Sequence, residues 1–95
     1  MLEVLNGPLD GKTWPFQDEL IIGRDEDSVD ACITLDRYVS RRHARLRAVD
    51  GCVTLCDLQS RNGTKLNDRP VVGEEPLEPG VPFQVGRTML RVTRG

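Results

Sequence analysis

Apolar and polar residues alternate along most of this chain in short runs, and no window sustains the i, i+3, i+4 spacing of an amphipathic helix. The period-two pattern predicts strands at Leu2–Leu5, Lys12–Phe16, Glu19–Gly23, Cys32–Leu35, His43–Val49, Cys52–Leu58, Thr64–Leu66, Arg69–Val72, Pro82–Val85 and Thr88–Thr93. Asn6-Gly7, Asp10-Gly11, Asp50-Gly51, Asn62-Gly63, Asn67-Asp68 and Pro79-Gly80 fall between these runs, where residues that tolerate positive φ let the chain reverse. Asp50-Gly51, placed between two alternating runs, predicts a type I′ hairpin. Within the fifth run Ala44, Leu46 and Ala48 are expected to face a core and His43, Arg45 and Arg47 to face away from it; Leu90 and Val92 face inward in the last run. Many short strands at spacings near ten residues, without crossover helices, predict an all-β fold: two packed antiparallel sheets in a β-sandwich.

With 95 residues the chain has enough sequence for one core and one domain, spanning residues 1–95. No apolar run approaches the roughly 20 residues that cross a bilayer, and the N-terminus lacks a basic region followed by an apolar stretch. The expected setting is therefore cytoplasmic, with no membrane partner. Cys32, Cys52 and Cys56 are odd in number and contain no C-x-x-C pair, which argues against a disulfide framework. They and the single His43 do not make a convincing zinc set either. Cys52 and Cys56 on one strand would lie about 13 Å apart at roughly 3.3 Å per residue, so neither a metal nor another cofactor is expected, and the thiols read as buried and inert.

Charge changes the picture through its distribution. The net charge is −2, but Asp18, Glu19, Asp25, Glu26, Asp27 and Asp30 crowd one stretch with Arg24 alone among them, whereas Arg37, Arg41, Arg42, Arg45 and Arg47 follow with no acid between. A weakly acidic total and few aromatic residues provide neither the footprint nor the stacking platforms of a nucleic-acid binder. The candidate chemistry lies in three short motifs at predicted strand ends. Arg24 in Gly23-Arg24 carries a planar, permanently charged fork suited to phosphate or carboxylate. Ser40 in Ser40-Arg41-Arg42-His43 offers a compact hydroxyl beside two cations. The separation of Ser40 and His43 invites comparison with a nucleophile and base, but no third orienting group or nucleophile elbow accompanies them, so no catalytic residue is assigned. His43 reads instead as a ring bonded to loop backbone that holds Ser40 in place. In Arg61-Asn62-Gly63-Thr64, the Asn62 amide can pair with both an N–H and a C=O of a bound peptide.

Taken together and in this order, G-R, then S-x-x-H, then N-G-T with the further Asn67, the motifs resemble the forkhead-associated (FHA) family over the whole chain. The resemblance implies a β-sandwich of about eleven strands whose loops at one end bind phosphothreonine peptides. It implies that Arg24 is the main phosphate-binding arginine and that the Ser40 hydroxyl donates to a second phosphate oxygen. Arg41 and Arg61 would touch phosphate or peptide, and Asn62 would hold the peptide backbone. Gly23, His43, Gly63 and Thr64 would be scaffold for these loops, and Asn67, also scaffold, would brace the turn after the Thr64–Leu66 strand. The implied function is recruitment of a partner phosphorylated by a Ser/Thr kinase; the alternative is an FHA-like assembly scaffold that does not read phosphate, and the intact motif favours the former. Asp25, Glu26, Asp27 and Asp30 are expected to point outward and to favour a basic residue in the bound peptide.

Overall fold

The computed structural model describes residues 1–94 as a sandwich of two sheets. Eleven strands run in chain order: β1 (Leu2–Val4), β2 (Thr13–Trp14), β3 (Glu19–Gly23), β4 (Ala31–Cys32), β5 (Ala44–Val49), β6 (Cys52–Asp57), β7 (Thr64–Leu66), β8 (Arg69–Pro70), β9 (Glu74–Leu77), β10 (Phe83–Val85) and β11 (Thr88–Val92). A six-stranded sheet has the order β2-β1-β11-β10-β7-β8 and a five-stranded sheet the order β4-β3-β5-β6-β9. Alternation along these strands produces the core. Leu2 and Val4 of β1, Phe83 and Val85 of β10, and Leu90 of β11 face Leu20 and Ile22 of β3, Leu46 of β5 and Leu55 of β6, all buried in one continuous cluster. Each such side chain contributes on the order of 1.5–3 kcal/mol of transfer free energy.

The turns follow from residues that accept a left-handed backbone. Val49 and Cys52 are register partners, so Asp50-Gly51 is a two-residue loop. Both of its φ angles are positive, 53° and 79°, as a type I′ turn requires. Asn67 and Asp68, at φ 54° and 62°, close β7 onto β8 in the same way.

Three features depart from the pattern reading. Glu74–Leu77 forms β9 on the edge of the five-stranded sheet although two adjacent acids and Pro76 erase its alternation; Pro is tolerated there because an edge strand leaves one side unpaired. The run predicted over Cys32–Leu35 shrinks to Ala31–Cys32 and pairs parallel with β3, so the sandwich is not wholly antiparallel. The Asp30 carboxylate accepts from the Ile21 amide at 2.8 Å and the Asp30 amide donates to the Ile21 carbonyl at 3.0 Å, which folds the chain back along β3 before it turns away. The cysteines are also not buried: Cys52 is exposed, Cys32 and Cys56 are half-buried, and none is in a disulfide. Cys52 and Cys56 share the outward face of β6 while Leu55 turns inward, as the period of two dictates. Burial, with Glu26 and Asp25 adding to it, holds the Cys32 thiol above its ordinary range.

Register identifies the two ends of the sandwich. Ile22 pairs with Ala44 and Ala44 with Asp57, so the loops after β3, before β5 and after β6 leave the same end. On the facing sheet Val85 pairs with both Thr64 and Thr88, so the β6–β7 connection crosses between sheets there and the β10–β11 turn lies beside it. Met1 and Thr93 lie together at the other end: the Met1 amine donates to the Thr93 carbonyl at 3.0 Å and the Thr93 amide to the Met1 carbonyl at 2.8 Å.

Candidate functional site

The apical loops are assembled around the end of β3. Gly23 has an ordinary φ, and the reason for glycine is space. A β-carbon there would sit 2.0 Å from the Arg41 carbonyl oxygen, a distance no carbon occupies. The close approach lets the Arg24 amide donate to the carbonyls of Ser40 at 3.0 Å and Arg41 at 3.1 Å, with the Asp25 amide reaching Arg41 at 3.3 Å. Arg24, Ser40 and Arg41, distant in sequence, are thereby joined through backbone.

His43 ties this pair of loops to the third. Its ring is fully buried, not on the outer face as alternation suggests, because residue 43 precedes β5 and lies beneath the loops. Its Nδ1 accepts from the Ser40 amide at 3.0 Å. An amide can only donate, so Nδ1 carries the lone pair; Nε2 carries the hydrogen and donates to the Gly63 carbonyl at 2.8 Å. One neutral imidazole thus spans the β4–β5 and β6–β7 loops. A second link is the Ser40 hydroxyl, whose oxygen accepts from the Arg61 amide at 2.9 Å. This leaves the hydroxyl hydrogen free to donate outward. A third is Asn62, whose side-chain N–H donates to the Tyr38 carbonyl at 2.9 Å. The second N–H and the side-chain oxygen of Asn62 are left for a ligand.

The β6–β7 loop has an anchor that the motif reading missed. One carboxylate oxygen of Asp57 accepts from the hydroxyls of Ser60 at 2.6 Å and Thr64 at 2.7 Å, and the other from the Ser60 amide at 3.1 Å. Burial works to raise this carboxyl, but the Ser60 and Thr64 hydroxyls and the Ser60 amide outweigh it and hold the group below the ordinary carboxylate range. The anchor allows Gln59 and Gly63 to hold positive φ, 59° and 79°, on either side of the Arg61-Asn62 tip. Asp36 does the corresponding work for the β4–β5 loop, accepting from the Thr88 hydroxyl at 2.7 Å, the Arg87 amide at 2.8 Å and the Tyr38 amide at 3.0 Å. Burial again opposes these bonds and is outweighed, so the Asp36 carboxyl is also held low. The only sequence trace of the Asp57 anchor is a serine three residues after it; Asp36 leaves none.

Arg24, Ser40, Arg41, Arg61 and Asn62 are therefore brought to one end of the sandwich, supported by Gly23, His43, Gly63 and Thr64. Asn67 is not among them, since it shapes the β7–β8 turn at the other end of β7. Arg24, Arg41 and Arg61 are exposed, and among the described residues none of the three is in a salt bridge; the ion pairs there involve Arg45, Arg47, Arg69 and Arg91. Of the acids after Arg24, Asp25 accepts from the Asp27 amide and the Ser28 hydroxyl, and Asp30 is bonded to β3, whereas Glu26 and Asp27 are exposed. The site is a set of fixed donors with cations that lack an internal counter-charge. Its chemistry is that of an anion receptor.

Residues 20–86 match the sequence model of the FHA domain. The chain belongs to the FHA domain family. The FHA domain-containing protein FhaB of Mycobacterium tuberculosis is 33% identical over 92 residues, which are 96% of this chain and 58% of that protein, so this FHA domain spans little more than half the length of that relative. Among solved structures, the FHA domain of the CT664 protein from Chlamydia trachomatis superposes with a TM-score of 0.91 at 25% identity, covering 99% of this chain and 95% of that one. An FHA domain solved in a study of phosphothreonine-dependent FHA domain interactions gives a TM-score of 0.85 at 32% identity, covering 99% and 94%. The FHA fold is a binding module, in keeping with a site built from donors.

Proposed function

We propose that this FHA domain is a non-enzymatic reader of phosphothreonine, recruiting in the cytoplasm a protein modified by a Ser/Thr kinase. The observation that carries the reading is the convergence of Arg24, Ser40, Arg41 and Arg61 at one apex without a salt-bridged acid among the described residues. Phosphorylation converts a neutral hydroxyl into a group of roughly −1.5 to −2 charge with three strong acceptor oxygens, so such an apex discriminates the modified residue sharply. In this reading Arg24 donates in parallel to two phosphate oxygens. The Ser40 hydroxyl, its oxygen already engaged by the Arg61 amide, gives its hydrogen to the phosphate. Arg41 and Arg61 supply further charge. Asn62 meets the peptide backbone with its free N–H and oxygen. Support also comes from the phosphothreonine dependence named for an FHA domain 32% identical to this one.

Fluorescence anisotropy with a degenerate phosphothreonine peptide pool, beside its phosphoserine and unmodified counterparts, tests the proposal. The phosphothreonine pool is expected to bind tightest, and Arg24→Ala to abolish the difference. Binding indifferent to phosphorylation, or unaffected by Arg24→Ala, would instead indicate an assembly scaffold.

A further inference from the structure

Beyond Asn62 the apex does not end. Two grooves adjoin there and share Tyr38 and Asn62 in their walls. One is completed by Arg37 and Arg61. The other runs over the outer face of the six-stranded sheet, between Lys65 of β7, Gln84 of β10 and Arg87 of the β10–β11 turn. Lys65 and Gln84 are register partners on that face. Among the described residues no carboxylate lines either groove, although the chain as a whole has more acids than bases, 15 against 13.

The cations are also held in place. The Arg87 guanidinium lies 4.2 Å from the centre of the Tyr38 ring and the Arg37 guanidinium 5.3 Å from it. Arg37 in addition donates to the Tyr38 hydroxyl at 3.3 Å. Stacking of this kind reduces the rotamer freedom that an arginine otherwise loses on binding. The nearest acid, Asp36, accepts from the Arg87 and Tyr38 amides and the Thr88 hydroxyl. It lines a neighbouring groove that shares Arg37, Tyr38 and Arg87, so the Arg87 charge is partly balanced from that side, whereas among the described residues Lys65 has no such neighbour in its groove. The exposed acids Glu26 and Asp27 belong to the β3–β4 loop, on the other flank of the phosphate-compatible donors.

We propose that the groove between Tyr38, Lys65, Gln84 and Arg87 is a second subsite that takes an acidic side chain of the bound peptide, so that the ligand class is an acidic phosphothreonine segment. The proposal rests on the phosphopeptide reading above. Asn62 lines this groove as well as the apex, so a peptide that crosses it from Arg24 reaches Lys65 and Arg87, while Gln84, one of whose side-chain N–H groups donates to the Gly86 carbonyl at 2.9 Å, keeps its second N–H. Rim pairs of this type are individually weak, so the combined preference for Glu over Gln is about fivefold and shrinks with salt.

The test is anisotropy binding of the whole domain to phosphothreonine peptides carrying Glu, Gln or Lys singly at each flanking position. At one position Glu is expected to bind about fivefold tighter than Gln, with Lys weaker still. In Lys65→Met,Arg87→Met, which keeps both stems and the Arg87 amide, the Glu/Gln ratio is expected to fall within twofold. Equal affinity for Glu and Gln at every position, or a preference undiminished in the double variant, would overturn the subsite. Should that variant not fold, Lys65→Met alone is expected to reduce the ratio by about half, and an unchanged ratio overturns the proposal equally. Absence of any phosphate-dependent binding is a failure of the preceding reading. The groove is then judged by titrating N-acetylglutamate against the ¹⁵N-labelled domain: shifts confined to the Gly63, Lys65 and Gly86 amides support it, and their absence refutes it.

Discussion

Adding one methyl group at Gly23 is expected to do more damage than its size suggests. The β-carbon of Gly23→Ala would lie 2.0 Å from the Arg41 carbonyl oxygen, 2.7 Å from its carbonyl carbon and 2.9 Å from a methyl of Val29. The Val29 side chain can rotate away, but the Arg41 peptide has to move by more than 1 Å to restore ordinary contact at about 3.4 Å or beyond. That movement breaks the bonds from the Arg24 amide to Ser40 and Arg41 and from the Asp25 amide to Arg41. At about 0.5–1.5 kcal/mol net for each of the three, their loss costs roughly 1.5–4.5 kcal/mol. It also withdraws Ser40 and Arg41 from Arg24, so phosphopeptide affinity is expected to fall at least tenfold. Urea unfolding and peptide anisotropy on one preparation measure both effects. Gly63→Ala is the control: its φ of 79° strains alanine, but no atom lies within 4 Å of the added carbon, so about 1–2 kcal/mol of conformational cost is all that is expected. A Gly23→Ala protein within about 0.5 kcal/mol of wild type that binds peptide equally well would refute the steric reasoning.

Four further outcomes are expected. His43→Leu leaves the Ser40 amide and Gly63 carbonyl without partners in a buried position and should cost about 2–5 kcal/mol in urea unfolding, with weaker peptide binding. Ser40→Ala removes both an acceptor for the Arg61 amide and a charge-assisted donor, so affinity should drop about 10- to 100-fold while stability changes by little more than 1 kcal/mol. The folded-state carboxyl of Asp57 is held low, so its contribution to stability is present above the unfolded value near 3.8 and is lost as pH falls through the lower folded value. Acid unfolding should accordingly be steeper for wild type than for Asp57→Asn, which should also cost about 1–3 kcal/mol at neutral pH. Leu46→Ala, at a fully buried core position, should cost about 2–5 kcal/mol without altering peptide preference.

Pattern served well where burial is one-sided. The strands that carry Leu20, Leu46, Leu55 and Leu90 lie where alternation predicts, because a one-residue slip would turn each of these into solvent. It failed at edges. β9 is held by register with β6 and needs little apolar alternation of its own, and β4 is set by the Asp30 bonds to Ile21. In the site, Arg24, Ser40 and Asn62 were legible because short motifs mark them. Asp36 and Arg87 were not, since they act on partners brought close by the fold, 52 positions away for Asp36 and Thr88, and Asp57 was not because its local bonds to Ser60 and Thr64 look in sequence like any acid near a hydroxyl. His43 was legible as a loop brace but misplaced on the sheet, because alternation does not extend past a strand's first residue.

The pairing of Met1 with Thr93 has a practical consequence for anything joined to this domain. Chain enters and leaves at neighbouring points, at the opposite pole from Arg24 and Asn62, in a body whose longest dimension is 33 Å. A dye, a surface tether or a neighbouring domain attached on either side therefore hangs from the base like a stem. The reading head stays open to a partner approaching from above, and the domain can be spliced into a loop of a host protein as readily as added to its end.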